Sequence, residues 1–124
     1  MKAVKVITVC FRGRVAHGGF GLGDRDELAT AHDALDMVRK ILENEKNIDA
    51  GIDMDTLIVN NDVGYTAGRD YLDSIKGLPT KNGVFKVMHR ENTGRAFGGF
   101  NDAFSKYKNE YEYWLFSEDD VYYC

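Results

Sequence analysis

Three consecutive carboxylates, Glu118-Asp119-Asp120, are the residues of this sequence best suited to chemistry. They follow the apolar run 113–116 after one serine, Ser117, and such a run is typical of a buried strand. Like charges this close repel one another, and they are tolerated most easily where a cation or solvent compensates them. Carboxylate oxygens are also the ligands that Mg²⁺ and Mn²⁺ prefer. We therefore interpret the three acids as a candidate metal site at the end of a strand.

Polar clusters also follow the other three predicted strands. They are, in chain order, Arg12–Arg14, Asn60–Asp62 and His89–Asn92. In open parallel sheets ligands bind beyond the carboxyl ends of the strands, so these clusters and the three acids are predicted to share one edge. The alternative is that strand ends are polar because they meet solvent. For any single cluster the sequence leaves both interpretations open.

Alternating strands and helices are predicted to position these clusters. Short β-branched or aromatic runs predict strands at 4–11, 56–59, 84–88 and 113–116. Helices are predicted over 24–47, 66–76 and 92–108, and Asp24 with Glu27 forms a capping-box variant at the first.

Helical periodicity supports the first and third helices. Apolar residues recur at 28, 31, 35, 38 and 42, and Phe97, Phe100, Phe104 and Tyr107 form one face that we predict to pack. Strand-helix alternation favours an α/β fold, in which a mostly parallel, Rossmann-like sheet carries helices on both faces. At 124 residues the chain is predicted to form a single domain, 1–124.

Composition narrows the functional classes. The net charge is −4 and no basic stripe is visible, so no nucleic-acid partner is predicted. No segment approaches the ~20 apolar residues of a membrane helix. The two cysteines, Cys10 and Cys124, make no disulfide framework, and a cytoplasmic setting is expected.

Three segments resemble the donor-binding half of a GT-A glycosyltransferase, closest to the large inverting family 2. The opening strand 6–12 is similar to the strand that lines the base pocket in that family. The segment 92–103 resembles the helix that precedes the family's metal motif. The run 114–121 resembles the apolar strand that ends in the Asp-x-Asp motif, written here Glu-Asp-Asp. Order and spacing match across residues 4–121.

The resemblance implies a nucleotide-diphosphate sugar as donor and a divalent metal, Mn²⁺ or Mg²⁺, as cofactor. It implies that the sugar passes to an acceptor hydroxyl. Asp120 would ligate the metal, with Glu118 or Asp119 on the metal, its waters or the ribose. Thr8 and one residue of the Asn60-Asn61-Asp62 corner would face the base and ribose. Arg95 would reach the diphosphate, and Arg12, the last residue of the opening segment, would also bind the donor.

The sequence departs from the family pattern in two places. Family members carry Asp at the end of strand two, where this chain has Asn60 and Asn61 before Asp62. Which of the three contacts the base stays open. The family also continues beyond its metal motif into an acceptor half that supplies the catalytic base. We therefore expect residues 1–124 to be a truncated, donor-binding half that lacks that base.

Other classes remain open. One is a non-catalytic binding or interaction module with this fold, in which a homodimer would cover the edge left by the missing half. Another is a nucleotidyltransferase or a phosphoacceptor domain. A phosphoacceptor would need an acid pair after strand one, where this chain has Arg12 and Arg14. The glycine-rich run 17–23 lacks the Lys-Ser/Thr of a P-loop and is interpreted as a connection or a loop over the donor.

Overall fold

The computed structural model describes residues 2–11, 27–91 and 95–118, and all their side chains except those of 27–33, 95–97 and 118. These ranges hold four parallel strands and three helices in alternation. In chain order they are β1 (Ala3–Val9), α1 (Glu27–Asn47), β2 (Met54–Asp62), α2 (Thr66–Ile75), β3 (Phe85–Glu91), α3 (Arg95–Tyr107) and β4 (Tyr113–Glu118). The strands form one sheet in the order β3-β2-β1-β4. The predicted α/β class with a parallel, Rossmann-like sheet is confirmed.

Helices cover both faces of this sheet. On one face Ile7, Val9 and Ile58 pack with Leu35, Val38 and Leu42 of α1 and Leu72 of α2. On the other face Val4, Val6, Leu57 and Val59 pack with Ala103 and Phe100 of α3. β1 and β2 are therefore buried along almost their whole length, which explains their continuous apolar, β-branched sequences.

Strands β2, β3 and β4 extend further than their sequences predict. β2 includes the whole Asn60–Asp62 corner, and β3 runs to Glu91 rather than ending at Met88. The two polar segments pair with each other residue by residue, from Asn60 with His89 to Asp62 with Glu91. Pairing between strands has overridden the low β-propensity of Asn and Asp. The polar clusters are thus the last residues of the strands and not the loops that follow.

The prediction that the aromatic face of α3 packs throughout was wrong at Phe104. Phe100 and Tyr107 pack against the sheet, whereas Phe104 is 46% exposed. Its ring lies 5.1 Å from that of Trp114 on β4. Because β4 is the last strand on this side, the sheet does not reach far enough to cover the whole stripe. The predicted cap at Asp24, the glycine-rich run 17–23, the helix start at 92–94 and the side chain of Phe97 lie outside the described residues.

A buried carboxylate ties the amino ends of the strands together. Asp55 is 1% exposed and accepts hydrogen bonds from Tyr111 Oη at 2.6 Å and from the Val84 amide at 3.0 Å. Lys2 Nζ lies 3.3 Å from the same carboxylate. Burial raises the pKa of Asp55, but the bonds from Tyr111, Val84 and Lys2 outweigh it, so the pKa lies below its ordinary value. Burial and the bond to Asp55 raise the pKa of Tyr111.

A second buried carboxylate joins α1 to the sheet. Glu45 is 5% exposed, and its Oε2 accepts a hydrogen bond from Lys5 Nζ of β1 at 2.8 Å, which forms an ion pair. Removing Lys5 would leave this buried charge uncompensated. In the described part of the chain no helix is long and apolar enough to cross a membrane.

We predict that Tyr111→Phe lowers the free energy of unfolding by about 1–3 kcal/mol at neutral pH, because buried Asp55 loses a donor. The folded pKa of Asp55 is depressed, so the stability of its ionised form is present above about pH 4 and is lost as the pH falls through the folded pKa. Urea unfolding at about pH 7 and about pH 2.5 measures both effects, and the difference from the parent should shrink at the lower pH.

Tyr113→Phe is the matched control, because the Tyr113 side chain is 54% exposed on β4. Its effect should stay within about 0.5 kcal/mol. An equal loss of stability for both variants, or a Tyr111→Phe loss that does not depend on pH, would contradict the role given to Asp55.

Candidate functional site at the carboxyl edge of the sheet

The carboxyl ends of the four strands lie side by side. Thr8 on β1 pairs with Val59 on β2 and with Glu118 on β4. Asn60 in turn pairs with Val9 and His89. The backbone therefore places the first of the three acids beside the end of β1, one strand away from the Asn60–Asp62 corner.

The direction of chain winding reverses between β1 and β4. From β1 the chain moves outward to β2 and β3 with α1 and α2 on one face, and it then returns over the other face through α3 to reach β4. In doubly wound sheets such a reversal opens a crevice at the carboxyl ends, where ligands bind. By this rule the crevice is expected beyond the ends of β1 and β4, next to the paired residues Thr8 and Glu118.

Several predicted site residues lie outside the part of the chain that the structure describes. These are Arg12, Asp119 and Asp120, together with the side chains of Arg95 and Glu118. The backbone of Arg95 is described and begins α3. Within the described residues no group of three or more His, Cys, Asp or Glu side chains could hold a metal ion. The metal assignment therefore rests on the donor chemistry of residues 118–120.

Thr8 and Asn61 are buried where α3 crosses the sheet. They are 3% exposed each. The close approach depends on Gly99, since a Cβ there would lie 2.9 Å from Thr8 Cγ2, 3.4 Å from Val59 Cγ1 and 3.5 Å from Asn61 Oδ1. The glycine lets the first turns of the helix rest directly on the strand ends.

Asn61 helps to hold a buried guanidinium. Arg90 on β3 donates from Nη1 to Asn61 Oδ1 and from Nε to Asp102 Oδ2 of α3, the latter at 2.6 Å. The Arg90 side chain is only 10% exposed, whereas Asp102 is 45% exposed. One neutral acceptor, the Asn61 amide oxygen, and one charged acceptor, the Asp102 carboxylate, fix the guanidinium group. Arg90 is therefore held in place between β2, β3 and α3.

Asn60 belongs to a chain of three polar side chains on the opposite face. His89 Nε2 lies 2.7 Å from Asp73 Oδ1 of α2, and His89 Nδ1 lies 3.1 Å from Asn60 Nδ2. An ionised carboxylate only accepts, so Nε2 must carry the proton, and in a neutral ring Nδ1 then accepts from Asn60. The bond from His89 lowers the pKa of Asp73.

One polar atom in this group of three side chains has no hydrogen-bond partner among the described residues. Asn60 is 1% exposed, and its Oδ1 is the buried side-chain atom for which the described structure provides no partner. Such an orphaned acceptor is costly and is commonly associated with function or with a group bound nearby. The oxygen belongs to the Asn60–Asp62 corner at the carboxyl end of β2.

Asp62, the third residue of the corner, is partly exposed. Its Oδ1 accepts from the Gly64 amide at 2.9 Å, and its Oδ2 accepts from Arg69 Nη1 at the start of α2. Gly64 has a φ of 84°, which favours glycine at this turn. Asp62 thus fixes the connection from β2 to α2.

A cleft of about 340 Å³ opens over the ends of β2 and β3. It is lined by Asp62, Gly64, Arg69, His89, Arg90 and Glu91. The two arginines and two acidic residues of this lining have formal charges that sum to zero when His89 is neutral, and the Arg90 guanidinium itself is bonded to Asn61 and Asp102. A polar, uncharged group suits such a lining better than a phosphate does.

Arg69, Asp73 and Asp102 were not predicted as site residues. Each lies on a helix and reaches the strand ends only in the folded chain, as partner of Asp62, His89 or Arg90. The one local signal is the spacing of Asp62 and Arg69, which brackets the turn into α2. The polar cluster at 89–91 is the sequence feature that indicates the cleft.

Comparison with models of protein families, with curated proteins and with solved structures gave no match.

We predict that Gly99→Ala destabilises the fold by about 1–3 kcal/mol, because the new methyl group overpacks against Thr8. Thr8→Ser removes Cγ2, so the cost of Gly99→Ala should fall by about 1 kcal/mol in that background. Urea unfolding of the parent, both single variants and the double variant measures this coupling. Strictly additive effects would show that α3 does not rest on Thr8.

We also predict that the neutral ring of His89 carries its proton on Nε2, because Asp73 accepts there. ¹⁵N chemical shifts of the imidazole at about pH 9 report the tautomer, and His89→Gln assigns the signals. Asp73→Asn should yield a mixture of tautomers, whereas Asp70→Asn, an exposed change on the same helix, should leave the ring unchanged. A ring protonated on Nδ1 in the parent would contradict the assigned network.

Proposed function

We propose that this chain is the donor-binding part of a GT-A type glycosyltransferase, and that it binds a nucleotide-diphosphate sugar together with a divalent cation. One observation carries the proposal: the winding reverses between β1 and β4, and Glu118 pairs with Thr8 at that point. The acids 118–120 therefore start at the crevice where a doubly wound sheet binds its ligand.

The nucleoside would occupy the cleft at the ends of β2 and β3. The volume of this cleft, about 340 Å³, lies within the usual range of small-molecule sites. The balanced charges suit a base and a ribose, and the carboxylates of Asp62 and Glu91 can accept hydrogen bonds from ribose hydroxyls. Buried Asn60 and Asn61 support this cleft by holding His89 and Arg90 in place.

The diphosphate would lie toward β1 and β4. Arg95 begins α3, and a helix N-terminus favours anions through its free amides and dipole. A guanidinium can bind phosphate oxygens bidentately, and Arg12 follows the end of β1. These two residues would supply the net positive charge that the residues lining the cleft do not have.

Asp120 and Glu118 would hold the divalent cation, and Asp119 would contact its waters or the ribose. The cation would stabilise the negative charge that develops on the leaving diphosphate. In the proposed reaction the sugar passes from the diphosphate to an acceptor hydroxyl. The base that accepts the hydroxyl proton is not among the residues assigned here.

We expect calorimetry with UDP, GDP, dTDP and CMP to detect one nucleotide whose binding is strengthened by Mn²⁺. Asp120→Ala should abolish the metal-dependent part of the affinity while leaving the circular dichroism spectrum unchanged. Asp53→Ala, an exposed change at the amino edge of the sheet, is the matched control and should bind like the parent.

A second variant separates the nucleoside from the metal. Glu91→Gln removes a cleft carboxylate and should weaken binding by a similar factor with and without Mn²⁺. If no nucleotide binds in either condition, the glycosyltransferase proposal fails. If Asp120→Ala binds as well as the parent in the presence of Mn²⁺, the metal assignment fails.

A further inference from the structure

On the outer edge of β4, the backbone groups of two residues have no hydrogen-bond partner among the described residues. The Ala3 amide of β1 donates to Asp53 O, on the side of β2. Backbone groups of successive strand residues point to opposite sides, so every second residue of β1, starting with Ala3, bonds to β2. The residues between them, Val4, Val6 and Thr8, bond to β4. By the same alternation Trp114 and Phe116 direct their N–H and C=O groups away from the sheet. Among the described residues no hydrogen bond reaches these outward groups.

The side chains along this edge are apolar and exposed. Tyr113 and Leu115 are 54% exposed on one face of β4, Phe116 is 43% exposed on the other, and Phe104 of α3, 46% exposed, packs against Trp114 on that second face. Residues 113–117 carry no charge. A long, uncharged, exposed edge strand is a template for pairing with another strand.

The opposite edge of the sheet is protected. The amide and carbonyl groups of Phe85 on β3 are already bonded to Leu78 and Gly77. The rest of β3 carries Lys86, His89, Arg90 and Glu91, and charges of this kind discourage edge pairing. The contrast indicates that β4 alone is suited to pair.

We propose that two copies of this chain associate through β4, with the strands antiparallel and Leu115 opposite Leu115 about a two-fold axis. This register places Trp114 opposite Phe116 in the hydrogen-bonded pairs, and it places Tyr113 opposite Ser117. Every pair within 113–117 is uncharged, and the eight strands form one continuous sheet. An isologous contact of this kind is self-complementary.

The size of the contact sets its strength. The exposed parts of Phe104, Tyr113, Leu115 and Phe116 amount to roughly 350 Å² of apolar side chain per copy, at ~150–250 Å² for a whole aromatic side chain. A standard interface buries about 800 Å² per partner, more than twice this apolar area. We therefore expect a weak dimer that dissociates on dilution.

The register also predicts a salt dependence. It brings Glu112 of one copy opposite Glu118 of the other, and like charges directly opposite are destabilising. Screening by salt weakens this repulsion. The dimer should therefore become tighter as salt increases, and Glu112→Lys should tighten it further at low salt.

Sedimentation equilibrium of the 124-residue chain, without nucleotide or metal, tests the association. We expect a monomer–dimer equilibrium that Leu115→Lys shifts to monomer by at least tenfold in Kd. Ile52→Lys is the matched control, because Ile52 is 57% exposed outside this edge, and it should behave like the parent. A parent that is monomeric at about 0.5 mM, or that binds only a different protein through this edge, overturns the proposal.

Cysteine cross-linking tests the register. Opposed residues in a non-hydrogen-bonded pair have Cβ atoms about 4.5–5.5 Å apart, close to disulfide distance. Leu115→Cys should therefore form a disulfide-linked dimer on mild oxidation, well above the level of the parent with Cys10 and Cys124. Tyr113→Cys faces Ser117 and should not. Equal cross-linking of the two variants would refute this register, and neither result depends on nucleotide binding.

Discussion

The pairing of β1 with β2 on one side and with β4 on the other is the interaction on which the remaining structure depends. It places β1 at the centre of the sheet, where both of its faces are covered by helices. Only an apolar, β-branched strand can occupy such a position without leaving polar side chains unsatisfied. The same pairing creates the reversal in winding, and therefore the crevice, because the chain must cross back over the sheet to reach the free side of β1.

Covering both faces of the sheet with helices also buries polar side chains at its carboxyl edge. Polar residues at the ends of β2 and β3 are buried by α2 and α3, and each must find a partner. Asp73 and Asp102 supply those partners from the two helices. The exception is Asn60 Oδ1, which stays unsatisfied among the described residues. A single orphaned acceptor inside an otherwise satisfied network is where a bound group would gain most from forming one hydrogen bond.

The sequence predicted the elements better than their ends. The strands and helices were located because β-branched runs and apolar periodicity are local signals, as at Leu35, Val38 and Leu42. The ends of β2 and β3 were missed because Asn61 and Arg90 are stabilised across strands, which a local pattern cannot report. The exposure of Phe104 was missed for a similar reason, since it depends on how far the sheet extends. The partners Arg69, Asp73 and Asp102 depend on contacts between elements that are distant in the chain.

The order of the strands in the sheet could not be predicted from local sequence patterns either. Alternation predicts parallel strands, but β3-β2-β1-β4 follows only once the chain is known to return over the second face through α3. The small residue at Gly99 marks the place where that helix meets the sheet, and in the sequence it could not be told from the other glycines of the segment 92–103.

The buried Asp55–Tyr111 contact lies at the amino end of the sheet, far along the strands from the crevice. The buried groups around Asp55 are thus separated from the exposed residues that line the cleft. Substitution of an exposed lining residue such as Glu91 can change the chemistry of the cleft at little cost in folding free energy.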